Sequence, residues 1–188
     1  KFGSRRLILD LSATGCTAEI DARGKVVAPG FIDVHTHDDR ALLSNPDMAM
    51  KVSQGVTTVV VGNCGVSLAP LSPKKPLPPP MNLLGGEEWF RFPTVSAYAE
   101  ELKKNPPAVN TAILVGHSTL RIGAMTDLER PASEIEIGHM QQQLREGMRA
   151  GAIGISTGLA YAPASAASTN EVIALAQVAG KMGGLYAT

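Results

Sequence analysis

From position 31 onward, short apolar runs alternate with stretches whose apolar residues recur every three or four positions. That alternation predicts successive βα units around a parallel sheet. Strands are expected over residues 31–37, 56–62, 111–116 and 152–157, with a fifth beginning at Gly184. The second is the most strand-like, since Val56, Thr57, Thr58, Val59, Val60 and Val61 are all β-branched.

The helices carry their own punctuation. Ser133 and Glu136 have capping-box spacing, and Ile137, Met140, Leu144 and Met148 then draw one apolar face. Ser168 and Glu171 repeat the spacing ahead of Val172, Leu175, Ala176 and Ala179, with Gly183 as the stop. A shorter helix is expected between Asn45-Pro46-Asp47 and Gly55. Residues 87–102, which hold Trp89, Phe90, Phe92, Tyr98 and Leu102, are read as a helical cap whose aromatics pack in the core. Six prolines between positions 70 and 80 exclude helix and central strand, leaving an irregular loop after the second strand. A closed eight-stranded βα barrel needs about 250 residues. The 188 residues here hold four units and the start of a fifth. The fold class is therefore α/β, a partial TIM-like (β/α)8 barrel over residues 30–188.

Composition narrows the partners. Lys+Arg and Asp+Glu both number 17, and no basic stripe could neutralise several phosphates, so nucleic acid is excluded as a partner. The longest apolar run, 56–62, is far shorter than the roughly 18 residues of a membrane span. Two cysteines are too few for a disulfide scaffold, which suits a reducing, cytoplasmic setting. The first residue is Lys1 rather than Met, the start expected of an internal fragment or processed product.

Chemistry gathers at strand ends. His35 and His37 stand two apart, so strand alternation puts both imidazoles on one face, where they can grip one ion. Cys64 follows the second strand between Gly62 and Gly65; it is either a metal-ligating thiolate or a small buried hydrophobe. His117 follows the third strand and is expected to face the barrel mouth as an outer-sphere donor, a substrate contact or a ligand, the supporting role being preferred. Tyr161, in Ser156-Thr157-Gly158-Leu159-Ala160-Tyr161-Ala162-Pro163, offers a hydroxyl to a substrate or packs under its loop. Cys16 is read as structural and His139 as solvent-facing. The glycines at 151, 154 and 158 do not match a nucleotide-binding fingerprint.

Several of these segments are recognisable together. Val27-Ala28-Pro29-Gly30-Phe31-Ile32-Asp33-Val34-His35-Thr36-His37 resembles the first barrel strand of the amidohydrolase superfamily. With Gln54 to Gly65, Val115-Gly116-His117 and Ser156 to Pro163, the chain resembles the N-acyl-D-amino-acid deacylases, or D-aminoacylases, from about Asp21 to Thr188. The resemblance implies one or two zinc ions per intact site, with His35, His37 and Cys64 as ligands and Tyr161 binding the substrate carboxylate. It implies hydrolysis of an N-acyl-D-amino acid by water activated at the metal. It also implies two further histidines and an acid–base aspartate, none of which is in this sequence, so no catalytic residue is assigned here. Relatives carry a ligand histidine directly after a Tyr-Ala-Thr like that at 186–188. Residues 1–29 would be the remnant of the family's small β-sandwich, and the 188 residues alone would be inactive. The alternatives are a cyclic amidohydrolase of dihydroorotase or hydantoinase type, which lacks its lysine here, and a non-catalytic truncated pseudoenzyme.

Overall fold

The computed structural model describes residues 21–73 and 75–188. Cys16 and most of the expected sandwich remnant lie outside the described residues. Residues 21–30 form turn and coil, with Val26 and Val27 exposed.

Five strands, β1 (Phe31–Asp33), β2 (Val56–Val61), β3 (Asn110–Gly116), β4 (Gly154–Ser156) and β5 (Leu185–Ala187), make one parallel sheet in the order β1-β2-β3-β4-β5. Sequential order with parallel pairing is the barrel pattern, and the sheet curls into a half-barrel. Its outer strands, each paired on one side only among the described residues, leave Phe31, Ile32, Leu185 and Tyr186 exposed. No helix among the described residues is long and apolar enough to cross a membrane.

Helices α1 (Ala41–Ser44) and α2 (Ala49–Val52) follow β1. The helix expected between Asn45 and Gly55 is α2, one turn that begins only at Ala49, and α1 ahead of Asn45 is an addition to that expectation. Pro46 cannot continue the preceding turn, and Met48 takes a left-handed φ of 45°, so the chain breaks where a start was expected. The 87–102 segment is likewise divided. A 3-10 turn at Glu87–Trp89 ends before Pro93, and α3 (Val95–Lys104) begins with Thr94 as its N-cap, whose Oγ1 accepts from Ala97 N–H at 3.1 Å. Its aromatics do pack as expected, with Phe90, Phe92 and Tyr98 buried.

After β3 come α4 (His117–Ala124) and α5 (Glu134–Arg149); after β4 come α6 (Ala162–Ser165) and α7 (Thr169–Lys181). Helix α5 buries Met140 and Leu144, and α7 buries Leu175, Val178 and Ala179, matching the sequence periodicity. These faces join Val59, Val61, Val115 and Ile155 of the sheet in one continuous core.

The α5 capping box is complete. Ser133 Oγ accepts from Glu136 N–H, and Ser133 N–H donates to Glu136 Oε2 at 2.8 Å. Arg130 adds two bonds to the same carboxylate at 2.7 and 2.8 Å. Arg130 first, then Ser133, pull the Glu136 carboxyl down to about 2. A folded pKa below the ordinary 4.5 stabilises the fold above that value, and the gain disappears as pH falls toward about 2. Thermal melts of the native protein and Glu136→Gln should therefore differ at pH 6 and converge by about pH 2. A gap independent of pH would sink this account.

Candidate metal centre

The segment after β1 keeps contact with β2 beyond the strand's end. Thr36 N–H donates to Val60 C=O at 3.3 Å, and Thr36 is buried. His35 and His37 come together there although β1 ends at Asp33, short of the strand expected through residue 37. Their ring centroids are 5.9 Å apart and the planes nearly perpendicular, at 78°.

Cys64 arrives from β2 through a turn that ordinary residues resist. It has a φ of 54°, between Gly62 at 78° and Gly65 at 75°. A left-handed non-glycine residue costs about 1–3 kcal/mol and is held there only by its surroundings. Gly62 is constrained twice over, since a Cβ there would sit 2.0 Å from the Leu114 carbonyl oxygen. The turn carries Cys64 Sγ to 2.9 Å from His35 Nε2. One donor atom from each of His35, His37 and Cys64 lies within 4.8 Å of the others.

These residues fit a zinc-like ion. Two imidazoles and a thiolate are the preferred donor types, and three protein ligands with an open position is the catalytic rather than structural pattern. His37 Nδ1 is buried without a hydrogen-bond partner, a lone pair that a ligand would satisfy. Burial, reinforced by the neighbouring His35, holds the His37 pKa below its ordinary value. Its ring is therefore neutral at neutral pH, the form that binds metal.

A charged clamp holds the histidine segment from behind. Lys51 Nζ, from α2, reaches Asp33 Oδ2 at 2.6 Å, Asp38 Oδ2 at 3.0 Å and Thr36 Oγ1 at 3.3 Å. The Lys51 bond holds the Asp33 carboxyl below the usual range, while Asp33 Oδ1 accepts from His35 N–H at 3.3 Å. Asp39 is buried and accepts from Gly62 N–H at 3.3 Å, tying the histidine segment to the cysteine turn. Burial pushes its carboxyl up to about 7. The aspartates flank the histidines in sequence, but nothing in the sequence pattern singled out Lys51.

Tyr161 lies half-buried at the N-cap of α6, after β4. Gly158 explains its approach to the cysteine turn. A Cβ on Gly158 would lie 2.2 Å from Cys64 O and 2.7 Å from the Tyr161 ring, so both pack against one bare backbone.

His117 is not part of this group. It opens α4 fully buried, and its Nε2 lies 2.7 Å from Glu171 Oε1. The third strand ends at Gly116, and the turn into α4 carries the imidazole toward α7. Arg121 Nη1 bonds both Glu171 oxygens at 2.6 and 2.7 Å, while Arg121 Nε donates to Pro163 C=O at 2.7 Å. Sequence reasoning took Glu171 for a capping residue. Ser168 Oγ does accept from Glu171 N–H, but the carboxylate is drawn into this buried network instead of closing the box. Burial raises the Glu171 pKa, yet the bonds from His117 and Arg121 outweigh it and keep the carboxyl below its ordinary value. His139 is exposed on α5, as its position off the apolar face predicts.

A parallel half-barrel with a histidine pair after its first strand and a cysteine turn after its second defines a βα-barrel scaffold with a candidate metal centre at its rim. The sequence signature of the Amidohydrolase family matches residues 18–187, and the chain belongs to that family. It is 54% identical over 170 residues to N-acyl-D-aspartate deacylase of Alcaligenes xylosoxydans xylosoxydans, covering 90% of this chain and 34% of that protein. It is 51% identical over 179 residues to D-aminoacylase of the same organism, covering 95% and 37%. Among solved structures, D-aminoacylase, studied for its binuclear metal centre, superposes with a TM-score of 0.89 at 54% identity, over 95% of this chain and 38% of that one. N-acyl-D-glutamate deacylase from Bordetella bronchiseptica, complexed with zinc and a phosphonate inhibitor, gives 0.81 at 48% identity, over 88% and 35%. The chain thus spans about a third of the length of these relatives.

Removing one member of a buried ion pair strands the other charge, typically at about 3–5 kcal/mol. Glu171→Ala should lower stability by about that amount in urea unfolding with an unchanged denaturant slope. A loss below about 1 kcal/mol, the scale of an exposed pair, would refute the network's structural weight.

Proposed function

We propose that the protein is a zinc-dependent deacylase that hydrolyses N-acyl-D-amino acids to a carboxylate and a free D-amino acid, working in the reducing cytoplasm. The observation that carries this reading is the convergence of His35, His37 and Cys64 within 4.8 Å. Identity of 51–54% to two enzymes of this class supports the choice of substrate.

In this reading His35, His37 and Cys64 hold the ion, and residues 30–188 form the N-terminal half of the barrel. The ion, when bound, supplies a polarised acyl carbonyl and an acidified water. Burial keeps the His37 lone pair free of a proton, and the Lys51 clamp fixes the angle from which both histidines approach. Tyr161 donates its hydroxyl to the substrate carboxylate and so orients the amide. The nearby carboxylates are all engaged, Asp33 and Asp38 by Lys51 and Asp39 by the Gly62 amide. None is free to shuttle a proton, so we assign the acid–base group, with the remaining ligands, to the part of the whole protein outside these 188 residues.

The full-length protein should release D-amino acid from N-acetyl-D-methionine, N-acetyl-D-aspartate or N-acetyl-D-glutamate and leave the L-enantiomers intact. Chelation should abolish turnover and zinc restore it, except in Cys64→Ala. Turnover of L substrates alone, or turnover indifferent to chelation, would overturn the reading. A hydrogen bond to a charged group is worth about 1.5–3 kcal/mol, so Tyr161→Phe should raise KM by about 10–100-fold and leave kcat within a few-fold. An unchanged KM would remove Tyr161 from the carboxylate.

A further inference from the structure

The Cys64 turn holds three left-handed residues in four positions, Gly62, Cys64 and Gly65, and such a backbone relaxes unless its surroundings over-determine it. Asn63 is held by its own side chain, whose amide donates to Val60 C=O at 2.8 Å. Ser156, the last residue of β4 and fully buried, reaches across from two strands away. Its hydroxyl donates to Gly62 C=O and accepts from Gly65 N–H at 2.9 Å. One oxygen therefore closes the turn at both ends, using its donor and an acceptor position on the two residues that bracket the cysteine.

We propose that Ser156 is the positioning residue of Cys64: by stapling Gly62 to Gly65 it holds the thiol within reach of His35, without itself touching the metal or the substrate. The inference rests on the metal-centre reading for its consequence, though the staple is independent of it. Alanine at 156 deletes one oxygen and leaves Gly62 C=O and Gly65 N–H buried without this partner. The turn then loses its closure and Cys64 drifts from the place where its Sγ meets His35.

The test is a cadmium titration of full-length protein, prepared metal-free, followed by the thiolate-to-cadmium charge-transfer absorption. Native protein should show the band and Cys64→Ala should not. Ser156→Ala should reach the band only at about 10–100-fold higher cadmium, the usual penalty for losing a group that orients a ligand. Ser67→Ala is the matched control, because that buried hydroxyl bonds Ala69 C=O and Gly116 N–H and none of residues 62–65. It should bind cadmium as native protein does. Native affinity in Ser156→Ala, or an equal loss in Ser67→Ala, overturns the positioning role.

Two measurements without metal separate this proposal from the metal reading. Iodoacetamide should alkylate Cys64, followed by peptide mass mapping, several-fold faster in Ser156→Ala than in native protein. In the unaltered protein, the Gly65 amide should be protected from hydrogen exchange. Absence of the band in native protein refutes the metal centre alone, whereas a Gly65 amide that exchanges like an open loop, or an unchanged alkylation rate, refutes the staple.

Discussion

Because β1 to β5 run parallel and pair in sequence order, all five strands leave the sheet at one rim, and each following segment begins beside its neighbour's. That geometry lets three donor side chains meet across 29 positions of sequence. His35, His37 and Cys64 follow adjacent strands, and the loop after β4 bearing Tyr161 rests on the Cys64 turn through Gly158. A barrel concentrates chemistry at the C-terminal ends of its strands for the same reason.

The site on this rim is held by polar contacts rather than by the apolar core beneath it. Lys51 fixes Asp33, Thr36 and Asp38 around the histidines, Asp39 links them to Gly62, and Ser156 closes the cysteine turn. Behind these, Arg121 ties α4 to Pro163 of the tyrosine-bearing loop and to Glu171 of α7. Each buried polar group here is costly if left alone and directional when paired. Such contacts suit a site that must hold donor atoms in place, because apolar packing fills volume without fixing angles.

Much of the fold was legible because its signals are local. Five strands, the α5 capping box and the apolar faces of α5 and α7 depend on residues a few positions apart, and the sheet needed only their parallel order. Where local signals conflicted, the reading was less accurate. The left-handed Met48 delays α2 to Ala49, past the start expected at Asn45-Pro46-Asp47, and Pro93 divides another expected segment. Capping-box spacing at Ser168 and Glu171 was present, but a buried arginine 50 residues away competes for the carboxylate and wins it.

By itself, the sequence determined which residues have metal-binding chemistry and where along the strands they stand, because period-two alternation and glycine-flanked turns are written in neighbouring positions. Only the tertiary structure decided which of them meet. It brought Cys64 to His35, turned His117 inward to Glu171, and recruited Lys51 and Ser156 as supports. Those outcomes depend on strand register and helix packing across 18 to 94 residues of separation, distances over which no sequence period reaches.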